Sequence, residues 1–171
     1  MGIGASGPRD GGVSRAGSGW LLALVIGLAG TPSTAAPPCS PGRVDLRWDG
    51  GGESFAVEVA DDTAERAQGL MFRESLDPGA GMLFAYNVPR QVGFWMKNTL
   101  IPLDMVFADS AGRVTRVHAM AMPQDETVID GGDGVQFVLE INGGLAAKLG
   151  LKPGAEMRHP LIGPEGAWPC E

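Results

Sequence analysis

Histidine, cysteine and tyrosine are scarce in this chain: two, two and one among 171 residues. His118 and His159 have no serine in a glycine elbow and no isolated thiol to serve, so the common nucleophile–histidine constellations are not written here. No glycine-rich loop ends in the lysine that cradles a phosphate. Basic charge is in short supply too. Thirteen Lys and Arg against twenty Asp and Glu give a net charge of −7, a poor match to nucleic acid or anionic lipid. No apolar run reaches the ~20 residues that comfortably span a bilayer.

The longest apolar run, residues 20–29, follows Arg9 and Arg15 and precedes the small residues 33–36. That order is the layout of a secretory signal, with cleavage expected after Ala35 and Ser33 and Ala35 as the small pair. An uncleaved anchor is the alternative reading. No cysteine directly follows the run, which argues against a lipoprotein. Removing Arg9, Asp10 and Arg15 with the leader leaves 136 residues, 11 basic and 19 acidic, for a net charge of −8. The expected layout is a signal over 1–35, a proline-rich lead-in over 36–42 and a single domain over 43–171. The expected location is periplasmic or secreted, with no membrane association after cleavage. In an oxidising compartment Cys39 and Cys170 read as a disulfide, worth about 5 kcal/mol on the chain-entropy estimate. Free thiols, or a thiol linked to a partner, are the alternatives.

Twenty-seven glycines and thirteen prolines point to short elements and frequent turns, hence to a mainly β domain. Alternation marks strands over 43–48, 54–60, 81–86, 103–109, 113–121, 136–142 and 155–159. Asp62 and Glu65 have capping-box spacing at the head of a short helix, whose buried stripe is expected to be Ala67, Leu70 and Met71. A second short helix is expected over 145–149, ended by Gly150. Residues 127–134 read as a polar loop. The stretch from Gly93 to Asp104 stands at the centre. It predicts a strand carrying Trp95, Lys97 and Thr99 on one face and Phe94, Met96 and Asn98 on the other, ending near Pro102. About eight strands with two short helices make a β-sandwich or barrel.

Five ordered motifs carry a resemblance: Gln68 to Arg73, Gly81 to Phe84, Phe94 to Thr99, Pro102 to Asp104 and Leu139 to Gly144. Over residues 44–157 the chain resembles a bacterial and archaeal family known as domain of unknown function 192. The resemblance implies a compact β-sandwich of jelly-roll type, often exported, and no established activity. The chain departs from relatives at His118-Ala119-Met120-Ala121-Met122, where they usually carry a more polar stretch.

Three chemistries are written in the residues. The first is a site for a small polar ligand, a sugar or a carboxylate-bearing peptide end, or for an envelope protein, built from Arg73, Trp95, Lys97, Asn98, Asp104, Glu140 and Asn142. The indole offers a stacking face, the arginine a fork and the carboxylates acceptors. Its competitor is structural: Arg73 paired with Glu140 or Asp104, and the two asparagines tying loop backbone. The second chemistry is hydrolysis by Asp104 and Glu140 as acid and base across a cleft. The third is Cu(I) handling by His118, Met120 and Met122 on one strand face, against which stands the ordinary use of Met in cores. The sequence favours a binding or accessory module over a catalyst and implies no cofactor.

Overall fold

The computed structural model describes residues 38–170, within the compact unit Ala36–Glu171. The expected leader lies outside the described residues. Among these, no helix is long and apolar enough to cross a membrane.

The chain runs β1 (Arg43–Trp48), β2 (Gly51–Ala60), α1 (Thr63–Gln68), β3 (Ala80–Phe94), β4 (Leu103–Ala108), β5 (Val114–Ala121), β6 (Ile129–Asn142), α2 (Leu145–Leu149), β7 (Glu156–Arg158) and a short 3-10 turn (Pro160–Ile162). The fold is mainly β, as the turn-rich composition implies. Seven strands, rather than about eight, form one curled sheet in the order β5-β4-β6-β3-β2-β1-β7. β2 and β3 pair in parallel, with α1 in the crossover, and the other pairs are antiparallel.

Successive side chains of a strand point to opposite faces, and each face carries its own core. Leu83, Val106, Leu139 and Ile141 join Ala146 of α2 in one cluster; this is the α2 face. Met82, Phe84, Met105 and Val138 join Leu70, just beyond α1, in the other; this is the α1 face. β4 is buried along its full length, as a strand flanked by two neighbours and covered on both faces must be.

The capping box of α1 is present: the Asp62 side chain accepts from Glu65 N–H, and the Glu65 carboxylate accepts from Asp62 N–H. Six residues are too few for a free-standing helix, so the cap and Leu70 hold it. Of the expected stripe only Leu70 is buried; Ala67 is exposed and Met71 half-buried. Gly69 has φ 50°, and a Cβ there would stand 3.1 Å from the Phe84 ring. The helix therefore ends by pressing backbone onto an aromatic side chain, which only glycine permits.

Three expectations about local structure change. β3 stops at Phe94, and residues 95–101 form a turn-rich loop rather than a strand. Asn98 sits at φ 55°, a left-handed conformation that asparagine tolerates better than most residues, and its carbonyl accepts from Phe72 N–H at 2.8 Å. The expected polar loop over 127–134 is largely strand, because β6 begins at Ile129 and extends along the outer half of β3, with register shifts near Arg90 and Val92. In β5 a shift lies between the pairs Leu103↔Ala121 and Met105↔His118, and Met120 there has φ 56°. That bulge breaks the alternation on which a shared face for His118, Met120 and Met122 depended.

Cys39 and Cys170 are bonded across 131 residues. Arg158 is buried between Asp45, at 2.7 Å, and the Trp168 ring, at 4.3 Å.

Candidate functional site

Asp104 and Glu140 show what each face of the sheet does with a buried acid. In register, Asp104 lies opposite Ile141 and Glu140 opposite Met105. Directly opposed residues share a face, so Asp104 projects to the α2 face and Glu140 to the α1 face. The two carboxylates do not flank a common cleft, and the acid–base pair required for hydrolysis is not formed.

Asp104 is fully buried and fully occupied. Its Oδ1 accepts from the N–H groups of Met120 and Gly144, each at 2.8 Å, and its Oδ2 from Ala146 N–H at 2.7 Å. α2 starts at Gly144, which has no side chain with which to cap it; Asp104 supplies the missing acceptor from a neighbouring strand.

Glu140 is 4% exposed and has no hydrogen bond or ion pair among the described residues. Burial alone pushes its carboxyl up to about 8, because the charged form loses water and gains no partner. Asp45, also buried, marks the contrast. Burial works against its charge, but hydrogen bonds from Ser54, at 2.6 Å, and Arg158 hold it below its usual value.

Above Glu140 lies a hollow of about 90 Å³, walled by α1 and its tail (Arg66, Gln68, Gly69, Met71), by β3 (Phe84, Tyr86, Phe94) and by the following loop (Trp95, Thr99). Phe84 and Phe94 meet edge to face at 5.1 Å and Phe94 and Phe107 at 5.9 Å, which stiffens the aromatic wall. Arg66 stands 5.1 Å from the centre of the Tyr86 ring and Arg90 5.7 Å. Arg66 Nη1 donates to the carbonyls of Asp61 and Ala85. Burial raises the Tyr86 phenol, which the two arginines oppose and Glu140 reinforces.

Of the seven residues expected to gather, the hollow brings together two, Trp95 and Glu140. Lys97 is drawn over the Trp95 ring at 5.4 Å and pairs with Glu126 at 3.8 Å. Asn98 sets the loop, with its side-chain amide 3.9 Å from the Met71 sulfur. Asn142 shares the α1 face with Glu140 but donates to the carbonyls of Leu76 and Asp77. Arg73 meets neither Asp104 nor Glu140. It forms a two-pronged ion pair with Glu58, at 2.7 and 2.6 Å, whose hydrogen bonds chiefly lower Glu58 and raise Arg73. The residues that sequence reasoning missed are Arg66, Gln68, Tyr86 and Thr99. Tyr86 was findable, since it continues the Met82–Phe84 alternation.

His118 projects with Met105 to the α1 face, while the Met120 sulfur lies 3.3 Å from where a Gly144 side chain would begin. The copper trio is not assembled. Among the described residues no three His, Cys, Asp or Glu side chains cluster as metal ligands.

Fold and site together define a small, disulfide-closed β domain with an acid-floored hollow. The chain belongs to the family of uncharacterised proteins known as domain of unknown function 192, which matches residues 45–159. A protein of unknown function from Novosphingobium aromaticivorans, solved as a crystal structure, is 43% identical, with 72% of this chain and 93% of that one covered and a TM-score of 0.66. A Sinorhizobium meliloti protein described as a "putative transcription regulator" is 40% identical, with 72% and 96% covered and a TM-score of 0.66. Among curated proteins none matches.

Proposed function

We propose that this domain binds a small polar ligand in the hollow above Glu140, as a binding or accessory module of the cell envelope. The observation that carries this reading is a buried carboxyl with no protein partner among the described residues, lining a hollow that also presents four aromatic rings and the Arg66 guanidinium. A fold that satisfies Asp104 and Asp45 leaves this buried acid without a partner, and unpaired buried acids gather at functional sites. A periplasmic or secreted location is supported by the Cys39–Cys170 bond, which persists in oxidising compartments. The description of the Sinorhizobium meliloti relative as a transcription regulator gains no support from a net charge of −7.

Thermal unfolding of the protein against sugars, amino acids, small acids and amines tests the reading. A ligand of the hollow raises the midpoint of the native protein and leaves Glu140→Leu, which removes the carboxyl from the hollow, unmoved. If every compound leaves both midpoints alone, or moves them equally, the hollow is not a binding site.

A further inference from the structure

We propose that the hollow receives the carboxylate of a short organic acid, held between the Glu140 carboxyl and the Arg66 guanidinium; this rests on reading the hollow as a binding site.

Two features of the hollow select that chemistry. Glu140 and Arg66 both line it, yet no ion pair joins them. Arg66 commits only Nη1, to the carbonyls of Asp61 and Ala85, leaving Nε and Nη2 without partners among the described residues. An acid without a partner and a guanidinium with spare donors are the two ends of a carboxylate clamp. One ligand oxygen accepts the hydrogen bond of protonated Glu140 and the other faces Arg66. The charges balance, since one ligand anion meets one arginine while Glu140 keeps its proton.

The same wall disfavours the competing ligands. A cationic amine would meet Arg66 in the lining, with Arg90 near the lining residue Tyr86 and Lys97 over the lining residue Trp95. The like charge of Arg66 opposes it. A hollow of about 90 Å³ has room for only several water-sized groups, which suits a short acid better than a sugar ring. Phe84, Phe94 and Met71 supply an apolar lining for its alkyl part.

The proton on Glu140 gives the clamp a pH signature. The groups around it are Arg66 from α1, Tyr86 and beyond it Arg90 from β3, Lys97 from the following loop, and, on the same face beyond Met82, Glu58 of β2 paired with Arg73. His118 of β5 lies on the same face beyond Met105. Burial holds the carboxyl near 8. Below that value Glu140 donates; above it, two anions face each other, and affinity falls roughly tenfold per pH unit.

Titration calorimetry of the whole protein with acetate, propionate, methylammonium and glycerol, near pH 6.5 and near pH 9.5, tests this. Acetate or propionate should bind at the lower pH and weaken at least tenfold at the higher. Glu140→Gln, which keeps an N–H donor in place, should bind within a few-fold of the native protein and lose the pH dependence. Arg66→Met should weaken binding about tenfold or more. Methylammonium binding that strengthens with pH, or binding of glycerol alone, overturns the carboxylate assignment and leaves the hollow standing as a site. Acetate affinity indifferent both to pH and to Glu140→Gln overturns the clamp. Silence from all four probes overturns both readings.

Discussion

Asp104 on β4 and Glu140 on β6 are neighbours across one strand pair, and both are buried. One register step sends them to opposite faces. Asp104 meets three backbone N–H groups where α2 begins; Glu140 meets an aromatic wall and a hollow. Burial therefore does not separate a structural acid from an available one. The partners do, and the strand register decides which partners come within reach.

Reducing the Cys39–Cys170 bond should have the largest effect, removing up to about 5 kcal/mol through its long loop. It lowers native and variant proteins together, so the difference between the two acids should survive reduction in chemical denaturation. Asp104→Asn should lose about 3–5 kcal/mol, because an amide nitrogen replaces one of two oxygens that together accept three N–H donors. A loss below about 1 kcal/mol would break the contrast. Glu140→Gln should do the reverse. The folded-state carboxyl titrates near 8, above its unfolded value of 4.5, so the unfolded chain releases its proton first and native stability falls as pH rises between those values. Glu140→Gln abolishes that loss and should gain up to ~3 kcal/mol near pH 7, with little change below about pH 4.5. Parallel pH–stability curves for native and variant would contradict it. The smallest effect belongs to the exposed Arg73–Glu58 pair: Glu58→Gln should change stability by less than about 1 kcal/mol, and less still in high salt.

Much of this fold was legible in the chain. The Asp62 and Glu65 spacing gave the first helix its start, Gly150 gave the second its end, and alternation located β1, β4, β5 and the inner half of β6. The central stretch misled because Phe94-Trp95-Met96 has strand-like residues but ends in a left-handed asparagine, and single-residue conformations of that kind leave no periodic trace. The site was half legible. Glu140 and Trp95 stood out as an acid and an indole in a strand-rich context. Arg73 looked equally suitable, and the partner that occupies it, Glu58, comes from a parallel pairing of β2 and β3 that local pattern cannot announce. Arg66 was hidden on a six-residue helix whose helical residues bury nothing. The acid pair failed for a simpler reason: register between β4 and β6 had to be known to within one residue.

A carbon-detected NMR titration of the Glu140 side-chain carboxyl, assigned through Glu140→Gln, tests the central claim most directly. The expected midpoint is about 8, the value to which burial without a partner raises it. A midpoint near the ordinary 4.5 would show an acid already supplied with water or a partner, and the hollow would then lose its reason to bind anything.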